Sequence, residues 1–117
     1  MKKILFSVLL GTMILAITSY QIILKTSLEI KILNRLGSTV SGVEVKLYEN
    51  KDDYQAGKNQ VGVTQITDEK GKVLLKELKP AAYFVSAVKG ELSNYGDAEI
   101  TDTLSAGRRN KVVIIVN

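Results

Sequence analysis

The chain has 117 residues, 16 Lys and Arg against 12 Asp and Glu, a net charge of +4 and 45% hydrophobic residues. That balance excludes a disordered acidic chain and a collagen-like one, and the length accommodates one domain behind a leader. With no Cys and no His, disulfide scaffolds, thiolate zinc sites, thiol catalysis and the usual imidazole base are excluded.

Met1-Lys2-Lys3 opens the chain, and no charged side chain follows from Ile4 to Leu24. The densest apolar part, Ile4 to Ile17, has the size of a signal-peptide core. The whole uncharged stretch is just long enough to cross a bilayer of about 30 Å as a helix. Lys2 and Lys3 would hold the N-terminus inside and send everything after Lys25 outside. Residues 1–24 therefore read as an N-terminal hydrophobic signal peptide or membrane-anchor helix, and residues 26–117 as the exported domain. Ile17-Thr18-Ser19 offers a cleavage site between positions 19 and 20. The same residues are like a lipobox, but Tyr20 stands where a lipidated Cys would be, so no thiol is there to carry the lipid.

From Thr26 onward the apolar period is two. Leu28, Ile30 and Ile32 alternate with Glu29 and Lys31, and Val43, Val45 and Leu47 with Glu44 and Lys46. Successive strand residues face opposite ways, so each segment predicts one apolar and one solvated face. Val61 and Val63, Val73 and Leu75, and Tyr83, Val85 and Ala87 continue the pattern, and Glu99 to Leu104 is a weaker strand candidate. Val112-Val113-Ile114-Ile115-Val116 is apolar on both faces, as in a strand covered on each side. No window from 26 to 117 carries a helical stripe. Asn34-Arg35-Leu36-Gly37 and Asp68-Glu69-Lys70-Gly71 share one form, an Asx residue opening a turn and Gly closing it, and each predicts a link between neighbouring antiparallel strands. Pro80 falls between strands, where its missing N–H is harmless. The pattern predicts a seven-stranded antiparallel β-sandwich of the Ig-like class. The polar stretch Glu49–Gln60 reads as its longest loop and a place for function.

Two blocks carry a family resemblance. The first is Leu28-x-Ile30-x-Ile32-x-Asn34-x-x-Gly37-x-x-Val40-x-Gly42-Val43-x-Val45-x-Leu47-Tyr48. The second is Thr67-Asp68-x-x-Gly71-Lys72-Val73-x-Leu75-x-x-Leu78-x-Pro80-x-x-Tyr83-x-Val85-x-Ala87. Together they resemble carboxypeptidase regulatory-like domains, which have a transthyretin-like (prealbumin-like) sandwich. The resemblance implies the fold over residues 26–117 but no single function, because related modules serve as stalks, adhesin repeats, enzyme appendages and sugar-binding domains. Thr39 and Ala81 depart from the family's usual Pro and Gly. Related pilin and adhesin sandwiches join a Lys to an Asn beside a catalytic carboxyl, which would point to Lys31 with Asn110 or Asn117. Here Ala87 stands where that carboxyl belongs, so nothing would polarise the amide.

No spacing of Asp, Glu, Lys and Ser marks a nucleophile, so the expectation is a non-catalytic protein without cofactor or metal. Glu49, Asp52, Asp53, Asp68 and Glu69 lack the spacing of a Ca²⁺ loop and read as solvated carboxylates. Asp52, Asp53 and Tyr54 mark a partner-binding loop, the partner being an envelope protein or a glycan. Tyr48, Tyr54 and Tyr95 form a candidate sugar-stacking set, with Tyr48 turned outward because it follows Leu47. Arg108-Arg109-Asn110-Lys111 reads as a solvated hairpin and not as a nucleic-acid face, with anionic head groups in reach only if the leader is retained. The expected location is the bacterial cell envelope, anchored, periplasmic or secreted. The expected role is that of a structural or interaction module, the rival being a carbohydrate-binding one.

Overall fold

The structure, a computed structural model, describes residues 25–97 and 99–117, so the expected leader, its candidate cleavage position and Tyr20 lie outside the described residues. Among the described residues, seven strands form two sheets: β1 (Thr26–Leu33), β2 (Glu44–Tyr48), β3 (Val61–Ile66), β4 (Lys72–Leu78), β5 (Phe84–Lys89), β6 (Leu92–Ser93) and β7 (Arg109–Ile115). One sheet runs β4-β1-β7 and the other β3-β2-β5-β6. Between them lie the predicted inward positions. Leu28, Ile30 and Ile32 of β1 meet Val45 and Leu47 of β2 and Val85 and Ala87 of β5, all essentially fully buried. Burying each such Leu, Ile or Val side chain contributes about 1.5–3 kcal/mol.

The sheets are mixed rather than wholly antiparallel. β1 pairs antiparallel with β4, but parallel with β7, from Ser27 opposite Arg109 to Leu33 opposite Ile115. A parallel pair needs a long crossover, and here the whole intervening domain supplies it. Alternation of side chains carries no information about strand direction, which is why the sequence pattern missed this. The two-residue β6 makes up the seven in place of Glu99–Leu104. That segment lies along β5 with only spaced contacts: Glu99 O accepts from Val85 N–H (2.7 Å), Thr101 N–H donates to Tyr83 O (2.8 Å) and Leu104 N–H to Ala81 O (3.1 Å). Leu104 is buried between the layers.

Both Asx turns form as expected locally. Asn34 Oδ1 accepts from the N–H groups of Leu36 and Ser38, and Asp68 Oδ1 from those of Lys70 and Lys72, all at 2.9–3.0 Å. The Lys72 amide is the main reason that the Asp68 carboxyl titrates below its usual range. What they connect differs from expectation. The first turn folds the chain back on the end of β1 and the second carries it from β3 to β4, between sheets. Two strands also differ from their sequence reading. β7 is covered on one face only, Val113 and Ile115 being 54% and 42% exposed. β3 bulges opposite Val45 and Leu47, with Gly62 at φ 68°, and leaves Val63 exposed at the edge of its sheet.

Tyr83, on the first inward position before β5, is buried and ties the β4–β5 connection to the core. Its hydroxyl accepts from Lys79 N–H and donates to Lys79 O, both at 3.0 Å, and burial pushes its pKa up. Replacing Tyr83 with Phe keeps the ring and removes both bonds. The expected loss is about 1–2 kcal/mol, read as a lowered urea midpoint with an unchanged slope.

Candidate functional site

The polar stretch after β2 is not an open loop. Asn50 ends β2's extension in a β conformation, and its Oδ1 accepts from Asp53 N–H at 2.8 Å, which starts the helix α1 (Lys51–Ala56). Asp53 Oδ2 accepts from Asn50 Nδ2 at 3.0 Å and its Oδ1 from Asn59 Nδ2 at 3.2 Å. Asp52 and Asp53 both sit in the first turn, where the exposed N–H groups favour negative charge. Gly57, at φ 64°, closes the helix. A six-residue helix has no room for an amphipathic stripe, so periodicity could not reveal it. Its signal was the cap: Asn50 followed three residues later by Asp53, then Gly57.

One side chain seats α1 on the outer face of the second sheet. Tyr54 lies over Phe84, ring centroids 5.6 Å apart and tilted by 34°, and meets Tyr48 edge-on at 5.8 Å. Tyr48 is only 4% exposed. Alternation does turn it away from the main core, as expected, but α1 then covers it. The three tyrosines are therefore not equivalent: Tyr48 is a buried support, Tyr54 half-buried, and Tyr95 81% exposed. Tyr54 and Tyr95 come together with Gln55 and Ser86 around a hollow of about 320 Å³. Burial, and then the charge of Glu99, raises the Tyr54 pKa. A planar ring entering this hollow would meet two aromatic side chains, not three. Asp52 stays exposed on α1, whereas Asp53 is committed to holding the helix start.

The other sequence-derived candidates stay apart. Lys31 stands opposite Lys72 and Val113, whereas Asn110 stands opposite Leu28, three residues back along β1. The Asn110 amide instead clamps the turn before β7, accepting from Ser105 N–H (2.8 Å) and donating to Ser27 O and Ser105 O (3.1 Å each). Asn117 Oδ1 accepts from Arg35 Nε, and its backbone exchanges two bonds with Ser93. Among the described residues, no three Asp or Glu side chains converge as a metal site. A larger hollow, about 620 Å³, opens where the edges of β3 and β4 part, lined by Val61, Val63, Leu74 and Leu78 among others. On its wall the Glu77 carboxyl is held low by Lys25 at 2.6 Å. Both partners are exposed, so that pair adds little stability.

The chain shares its fold with parts of two bacterial pilin subunits. One is a streptococcal ancillary pilin, with a TM-score of 0.58 and 17% identity over 80% of this chain and 32% of the pilin. The other is BcpA, the major pilin subunit of Bacillus cereus, with a TM-score of 0.57 and 17% identity over 80% of this chain and 30% of BcpA. The chain thus spans about a third of the length of each. No family model matches the chain, and no curated protein does. What is shared is the β-sandwich; the carboxypeptidase regulatory-like resemblance continues to rest on the two sequence blocks alone.

Proposed function

We propose that the chain is a non-catalytic structural or interaction module of the bacterial cell envelope, exported by or anchored through residues 1–24. The observation that carries this reading is the sandwich itself, whose solved counterparts are segments of pilin subunits. Two features agree with it. Asp53, Asp68 and Asn110 spend their side chains on capping and clamping. The charge-free segment behind Lys2 and Lys3 supplies a route out of the cytoplasm. In this reading the surface offered to a partner is α1 with Asp52, Tyr54 and Tyr95.

The test is fractionation of the expressing bacterium, with protease added to intact cells or spheroplasts and intact masses taken from each fraction. The expected result is protein in the envelope or medium, cut by external protease. A mass lacking residues 1–19 would mark cleavage, and a full mass an anchor. Protein confined to the cytosol and shielded from protease would refute the reading.

A further inference from the structure

An open sheet edge is a template for another strand, and native sandwiches guard their edges with bulges, charges or short strands. The second sheet is guarded at both sides. β6 has two residues, and the Asn117 backbone closes on Ser93; β3 carries the Gly62 bulge. In the first sheet β4 is irregular where Thr26 and Leu28 face it, with Glu77 at φ 57° and charged Lys72, Lys76 and Glu77 along it. β7 differs. It keeps an unbroken register with β1 over seven pairs. Ser27 N–H donates to Arg108 O, and Val116 N–H to Leu33 O, both at 2.9 Å. In a parallel ladder this phase turns the N–H and C=O of Lys111, Val113 and Ile115 away from β1. The side chains of Val113 and Ile115 also stand exposed on the outer face, beside Leu33.

We propose that a second copy of this chain adds to this edge, β7 to β7, antiparallel about a twofold axis at Val112. The two three-stranded sheets would become one of six strands. The side-chain pattern of β7 matches itself in this register. In that register Arg109 stands across from Ile115 of the second copy and Lys111 across from Val113, so basic stems cover apolar residues and no two cations are directly opposed. Lys111 also has Glu29 of its own copy beside it in register. Pairing with β4 of another copy would set Lys76 opposite Lys111 in the register that brings Leu74 against Val113. One strand edge buries less than the ~1,200 Å² of a standard interface, so the dimer is weak and concentration-dependent. This goes beyond the envelope role, because it names a partner and a surface distinct from α1.

The test uses the full chain in detergent micelles, by sedimentation velocity over a concentration series. Wild type is expected to shift from monomer to dimer. Val113→Lys would set Lys against Lys111 twice across the axis and weaken association about tenfold or more, with an unchanged circular-dichroism spectrum. Because the chain has no Cys, the double variant Lys111→Cys with Val113→Cys gives a clean second measurement, which decides if Val113→Lys does not fold. Oxidation should yield a reducible dimer, and the control Leu36→Cys should not. A wild type that stays monomeric, a dimer indifferent to Val113→Lys, association only with a different protein, or no double-cysteine cross-link would each overturn the proposal.

Discussion

Gly71→Ala is expected to destabilise the domain by about 3 kcal/mol or more, whereas Gly37→Ala should cost about 1 kcal/mol. The two glycines close turns of the same form, with the same pair of Asx hydrogen bonds, and both are left-handed, at φ 73° and 82°. Their surroundings differ. A Cβ at Gly37 would meet nothing within 4 Å. At Gly71 it would come within 2.8 Å of Ile32 O, 3.1 Å of Thr39 Cβ and 3.2 Å of Val40 N. Gly71 O also accepts from Ile32 N–H at 2.7 Å, so the turn cannot back away without breaking a bond to β1. Two of these three neighbours are backbone, which has no rotamer to yield. The measurement is thermal unfolding of both variants, with Gly71→Ala lowering the midpoint by roughly 12 °C or more. Equal losses at the two positions would mean that the close approach to β1 is not made.

Asn94→Ala is expected to cost about 3 kcal/mol, more than a turn residue usually would. Asn94 is 1% exposed, and its side chain does the work of a missing strand: Oδ1 accepts from Ala87 N–H at 3.0 Å and Nδ2 donates to Val85 O at 2.8 Å. Truncation leaves a buried donor and a buried acceptor on β5 unpaired. Asn94→Asp is the sharper measurement. A carboxylate can accept from Ala87 N–H but only repels Val85 O, while the protonated acid can donate to it. The acid's pKa is therefore raised in the folded state. The variant should gain stability as the pH falls through that raised value and lose it as the pH rises, a slope that the wild-type amide cannot contribute. Chemical denaturation at several pH values reads both; identical pH profiles for Asn94→Asp and wild type would contradict the bonding to Val85.

These two residues also mark where the sequence was legible. Gly71 reads as a turn glycine, because an Asx residue three positions earlier bonds forward within the same short segment. That it lies against Ile32 was invisible, since β1 is some forty residues away in the chain. Asn94 sits in Ser93-Asn94-Tyr95-Gly96, outside every alternating segment, and a side chain bonding back to β5 leaves no periodic trace. The helix α1 escaped for a similar reason: it is held by the Asn50 cap and by one aromatic contact, and neither repeats along the chain. Alternation places Tyr48 on the right face of its strand, but what covers that face comes from α1.

By itself the sequence determined which side chains turn inward and where the chain bends. Both follow from interactions within a few residues: opposite faces for successive strand positions, and short polar side chains that satisfy their own turn. Tertiary structure alone decided the direction in which β7 lies beside β1, which edges are guarded, and which of two look-alike glycines is irreplaceable. Those outcomes depend on backbone groups meeting across long stretches of chain, where hydrogen bonds form between atoms common to every residue and so leave no mark in residue identity.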